Sequence, residues 1–181
     1  MYIYLVFSKT GTWLSRIIKF LVKTKYVHVS IGFNQELTNM YSFGRLKPKN
    51  PFLGGFVQED LSNGIYKLAK DPECLVYKIR VTTGQYNELL KAIQEYSSDA
   101  ALYRYNFLGL IAAGVNIRIK RKRHYFCSQF VSQLLMTIGV LEIEKPPELI
   151  RPTDLLLHIK DKEEIFAGYV QEYVTLYSKT N

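Results

Sequence analysis

The order of hydrophobic and polar positions along the chain sets out most of its elements. "YIYLVFS" (2–8) is a run of β-branched and aromatic residues and predicts a strand. Gly11 and Thr12 then open a predicted helix, with Trp13, Leu14, Ile17, Ile18 and Leu21 recurring at helical spacing and Arg16, Lys19 and Lys23 off that stripe. "YVHVSIGF" (26–33) alternates strictly. Val27, Val29, Ile31 and Phe33 face one side, and His28, Ser30 and Gly32 the other. A turn at 34–36 and a return strand over 37–44 make a hairpin of this segment.

Pro48, Pro51, Gly54 and Gly55 then argue for a loop over 45–55. "FVQEDL" and "GIYKLAK" read as two short strands, and "CLVYKIRV" (74–81) as a longer one. Thr82 and Gln85 form a capping-box pattern ahead of Tyr86, Leu89, Leu90, Ile93 and Tyr96, which predicts a helix to about 97. "YNFLGLIAAGVN" (105–116) reads as a short helix or apolar turn, and 118–124 as a basic loop. A helix opens at Cys127, carries Phe130, Val131, Leu134, Leu135 and Ile138 on one stripe, and stops at Gly139. A proline-rich connection (144–159) leads into another short element, and 166–177 reads as a last strand. Strands and helices mix without βαβ regularity, so the fold class is α+β.

At 181 residues, 48% hydrophobic and 22% charged, the chain has the size and composition of one globular domain, taken as 1–181. Two cysteines do not make a disulfide framework, and a reducing cytoplasmic setting is the simpler expectation. The N-terminal segment lacks the marks of a signal peptide, and no apolar run is long enough for a transmembrane segment. A net charge of +8 favours anionic partners. Five of the positive charges, Arg118, Lys120, Arg121, Lys122 and Arg123, fall within six residues. That loop is a candidate site for an anionic ligand, or a solvated loop. It lacks the interleaved aromatics of a single-strand binder, so no specific nucleic acid is expected.

The chemistry centres on Cys127. A cysteine in the first turn of a helix meets unpaired N–H groups and the positive end of the helix dipole, which favour the thiolate. A thiol nucleophile also needs a base, usually histidine, and the chain has three. His28 lies mid-strand on the open face beside Ser30 and Gly32 and is the best candidate. His124, in the basic loop, and His158, after three leucines, read as surface residues. Buried inert cysteine is the competing reading of Cys127.

"KTKYVHVSIGF" followed much later by "YFCSQFVSQLL" resembles the circularly permuted NlpC/P60 group of papain-like enzymes, which includes the YaeF/YiiX-type amidases and is kin to the lecithin:retinol acyltransferase-like proteins. In that group the histidine strand precedes the cysteine helix, as here. "MYSFGR", "RPTDLL" and "FAGYVQEY" extend the resemblance over most of the chain. It implies a papain-like antiparallel sheet packed against helices, with the catalytic cysteine at a helix N-terminus.

The resemblance further implies a third residue, often acidic or an amide, on the strand after the histidine. A hairpin turning at 34–36 places Ser42 opposite His28, so Ser42 comes first and Asn39, on the other face, second. The oxyanion would meet the Cys127 backbone N–H, with Tyr125, Tyr4 and Gln129 as side-chain helpers. The implied function is a cysteine peptidase or amidase cutting an amide bond, of cell-wall peptide type, through an acyl-enzyme. Alternatives are lipid acyl hydrolysis or transfer, and a non-catalytic binding module with a basic face, favoured by the weak orienting power of serine. The partner is a peptide or lipid-like substrate, and the chemistry needs no metal or cofactor.

Overall fold

The computed structural model describes residues 1–10, 25–47 and 50–178. The helix expected over 11–23 lies outside the described residues. Among those described, the chain is α+β, with an antiparallel sheet and six α-helices. The strands are β1 (Tyr2–Lys9), β2 (His28–Gly32), β3 (Met40–Lys47), β4 (Asn50–Glu59), β5 (Glu73–Arg80) and β8 (Glu163–Tyr169), in the order β4-β3-β2-β1-β5-β8. Two short strands, β6 (Arg104–Tyr105) and β7 (His124–Tyr125), pair in parallel apart from it.

Alternation along each strand divides the core between the sheet's two faces. One face carries Leu5, Phe7, Val29, Ile31 and Phe43, covered by helices α2 (Thr83–Ser98), α4 (Cys127–Thr137) and α5 (Pro152–Ile159). The other carries Tyr4, Val6, Met40, Cys74 and Val76, under α1 (Gly64–Leu68) and α6 (Val170–Ser178). Helix α3 (Phe107–Gly114) packs Leu110 and Ala113 on Val27 and Phe126 at the end of β2. Three tyrosines join three phenylalanines in an aromatic cluster of Phe43, Phe56, Tyr96, Tyr103, Tyr125 and Phe130. None of the described helices is long and apolar enough to cross a membrane.

Three expectations are corrected. The segment 45–55 is not a loop: β3 and β4 pair through it, with Gly44 opposite Gly55, Arg45 opposite Gly54 and a bulge between Arg45 and Lys47. β4 is an edge strand, where proline and glycine are tolerated. Its glycines serve close approach, since a Cβ at Gly54 would stand 2.6 Å from Tyr105 Cβ and one at Gly55 2.9 Å from Tyr103 O. Second, "GIYKLAK" is helical from Gly64, which takes a positive φ of 59° after a turn tied together by Asp60. Third, the final strand ends at Tyr169, and 170–178 is helix. Val170, Tyr173, Val174 and Tyr177 pack inward at helical rather than strand spacing.

The capping box at Thr82 and Gln85 forms as the pattern predicts, and Gly139 ends the next helix region at φ 68°. Because Gly54 is pressed against Tyr105, Gly54→Ala should destabilise the fold by about 1–3 kcal/mol through overpacking. Gly84→Ala, in the first turn of α2 with open space around it, should be neutral or stabilising by up to about 1 kcal/mol. Chemical denaturation of the two variants measures both.

Candidate active site

Cys127 is the first residue of α4 and is 1% exposed. Phe126 before it and Phe130 one turn on are fully buried and seat the helix start against the sheet. The first-turn N–H groups of α4 have no intrahelical acceptor. The β2–β3 ladder pairs Ile31 with Tyr41 and Gly32 with Met40 and goes no further. Toward His28 the two strands part. Ser42 Oγ donates to Val29 O at 2.7 Å in the space so created. The thiol settles against the backbone at the start of β2, 4.0 Å from Val27 O, where the backbone of Val29 and Ser128 favours its ionised form.

His28 leaves the backbone at that same point. Its Nε2 reaches Glu59 at the end of β4, 3.0 Å from Oε1 and 3.1 Å from Oε2. The ring's other nitrogen, Nδ1, is not used by Glu59, and the ring lies near enough to Cys127 for each side chain to shift the other's titration. Glu59 is held in turn. Ser30 Oγ donates a short hydrogen bond to Oε2, and Tyr66 OH, itself 3.3 Å from Ser8 Oγ, lies at 3.5 Å. Gly44 floors this group, for a Cβ there would stand 3.4 Å from Glu59 Oε1 and 3.5 Å from His28 Cε1.

The three titrations follow from the contacts. Burial pulls the His28 pKa down, but the Glu59 charge and the hydrogen bonds to Cys127 and Glu59 overcome it and raise the ring to about 10. Burial pushes the Cys127 thiol up, and the hydrogen bond and charge of His28, with the two backbone N–H groups, bring it below its ordinary value. Burial likewise raises Glu59, while the His28 charge and the Ser30 and Tyr66 hydroxyls hold it below the usual carboxylate range. These contacts favour the thiolate at Cys127, the imidazolium at His28 and the carboxylate at Glu59.

Tyr105 completes the surroundings of the sulfur. Burial, then the nearby Cys127, raise its hydroxyl pKa well above normal, so it stays protonated beside the sulfur. A cleft of about 380 Å³ opens on the His28 and Glu59 side. Carbon from Val27, Leu46, Val57, Ile65, Tyr105 and Phe107 makes most of its wall, and Arg45, Gln58, Asp60 and Asn63 stand among them.

Of the residues singled out from sequence, Cys127 and His28 come together. They do so around the edge of β2, because α4 packs on the Val29 and Ile31 face and not on the face that carries His28. Ser42 is not the third residue. The turn is longer than 34–36, the register places Gly44 level with His28, and the Ser42 hydroxyl is spent on Val29 O. Asn39 belongs to the turn, its N–H bonded to Asn34 Oδ1 at 3.0 Å and its side chain accepting from Gln58. Tyr4 is in the core of the sheet face away from α4, Tyr125 packs edge-on against Tyr96 within the aromatic cluster, and Gln129 folds back to accept from Phe126 N–H at 3.4 Å. None of these three reaches the sulfur.

His124 and His158 are surface residues, each with Nδ1 on a backbone carbonyl at 2.8 Å. Cys74 and Cys127 are both free thiols, and burial pushes Cys74 up to about 12. Glu59 and Tyr105 are the two residues that reading the sequence missed. Glu59 closes the alternating stretch "FVQE", which ends in a carboxylate on the His28 face. That signal is visible only once β4 is recognised as a strand paired with β3.

The fold and site therefore define an α+β protein with a buried Cys–His–Glu row beside an apolar cleft. No known family, curated protein or solved structure matches the chain.

Titration of the thiolate by its ultraviolet absorbance should give a midpoint below the roughly 8.5 of a free cysteine. In His28→Ala, only backbone groups are left to oppose burial, and the midpoint should move up from the wild-type value. Ser42→Ala should leave the midpoint in place while costing about 1–3 kcal/mol of stability, because Val29 O loses its donor.

Proposed function

We propose that this chain is a cysteine hydrolase that cuts an amide bond through an acyl-enzyme, on a permuted NlpC/P60 papain-like arrangement. The row Cys127–His28–Glu59 carries the reading, because its contacts favour a thiolate beside a protonated imidazole. The Cys127 thiolate attacks the carbonyl carbon, and the oxyanion is met by the Cys127 backbone N–H and the Tyr105 hydroxyl. As the C–N bond breaks, His28 Nδ1–H protonates the leaving amine. The imidazole then takes a proton from water, whose oxygen attacks the thioester, and the acid leaves as the thiol is restored. Glu59 acts through His28, holding its tautomer and stabilising its charge. Two free thiols, one of them the nucleophile, fit a reducing cytoplasmic setting.

The cleft supports a second reading, lipid acyl hydrolysis or transfer from an ester. Its carbon-rich wall suits an aliphatic acyl group better than a polar peptide. The non-catalytic module loses its main support, since that rested on serine as the orienting group and Glu59 is the far stronger one.

Purified protein incubated with N-acyl anilides of increasing chain length, matching acyl esters and short peptide anilides should release aniline, or alcohol from the esters, and show a transient acyl adduct on Cys127 by intact mass. A preference for esters would favour the second reading. Cys127→Ser should remove adduct and turnover, and His28→Ala should lower kcat by about 10²–10⁴. Absence of both adduct and turnover across all three series would refute the hydrolase reading. The pH profile should be bell-shaped, rising as Cys127 ionises and falling near 10 as His28 loses its proton. Because the Glu59 charge raises His28, Glu59→Gln should move the alkaline limb to lower pH as well as reduce kcat.

A further inference from the structure

Helix α3 presents large aliphatic side chains to water beside the basic run. Leu108, Ile111 and Val115 form one stripe, 60%, 50% and 67% exposed, and Ile117 just beyond is 57% exposed. The helix cannot roll to bury them, because its opposite side is fixed by Leu110 and Ala113 against Val27 and Phe126. The chain then reverses at Asn116, φ 60°, with Ile117 N–H bonded back to Ala112 O at 2.8 Å. This closure leads straight into the positive charges. Arg118 is engaged by Glu148, at 3.2 and 3.3 Å. Lys120, Arg121, Lys122 and Arg123 are exposed and have no acidic partner among the described residues.

We infer that this face docks on an anionic membrane surface, the α3 aliphatics entering the boundary between headgroups and acyl chains while the basic run holds acidic headgroups. The combination selects the partner. A nucleic acid answers the charge but gives four aliphatic side chains nothing to enter, since bases are bound by stacking and hydrogen bonding. A second copy of the chain answers the aliphatics but brings two basic runs face to face. An anionic bilayer answers both. Phe107, the first residue of α3, lines the cleft beside His28, so docking also carries the cleft mouth to the interface. The inference stands apart from the proposed hydrolysis, for it needs neither Cys127 nor turnover.

Co-sedimentation with phosphatidylcholine vesicles, with and without about one-third phosphatidylserine, tests it. Wild type and Cys127→Ala should bind the anionic vesicles alike, bind neutral ones weakly, and be released by salt at about 0.5 M. Lys120→Gln, Arg121→Gln, Lys122→Gln and Arg123→Gln together should weaken binding by at least about tenfold, and Leu108→Ser with Ile111→Ser should do the same. All six side chains are exposed, so thermal melts should match wild type. As a gain of signal, Ile111→Trp should show fluorescence quenched by brominated lipid above the wild-type background. Equal binding to neutral and anionic vesicles, binding to neither, or vesicle binding that both variant sets leave intact would overturn the inference. So would binding of duplex RNA through the basic run without vesicle binding.

Discussion

The site depends on a carboxylate taken out of water. Glu59 would be costly in the interior alone, and it is kept ionised by an imidazolium and two hydroxyls. In return it holds His28 protonated against the strong pull of burial. That protonated ring makes a buried thiolate tenable at Cys127. Remove the carboxylate and desolvation governs both remaining groups, returning ring and thiol toward their neutral forms.

The sheet supplies the room for this row. If β2 and β3 stayed paired past Ile31 and Tyr41, the β2 edge would be filled by the Gly44 backbone and no thiol could lie along it. Their parting leaves one edge of β2 open for about two residues, and the ends of α4 and β4 converge on that opening. Ser42 keeps the gap from leaving Val29 O unpaired, so its hydroxyl serves the backbone and not the chemistry.

Legibility in the sequence followed the range of the interactions. Cys127 at a helix start, the alternation around His28 and the Thr82 capping box are local patterns and were readable as such. The β3–β4 hairpin was hidden because Gly54, Gly55 and Pro51 look like loop residues. Only the approach of Tyr103 and Tyr105, some fifty residues onward, shows that the glycines answer a contact. Without that hairpin, the residue facing His28 falls on the adjacent strand at Ser42, while Glu59 stands one strand further. The hairpin turn shifted the register by two residues, which preserves the face of every side chain but changes its neighbour, so alternation alone could not reveal it. The same limit affected 170–178, where Val170 and Tyr173 belong to a helix that short-range alternation imitates.

The two cysteines sit in cores on opposite faces of one sheet, Cys74 held as a thiol and Cys127 favoured as a thiolate. This asymmetry governs how the chain meets oxidants. Peroxide reacts with thiolate, so sulfenic acid would form at Cys127 and pass over Cys74. The sheet between them denies the oxidised sulfur an internal resolving thiol.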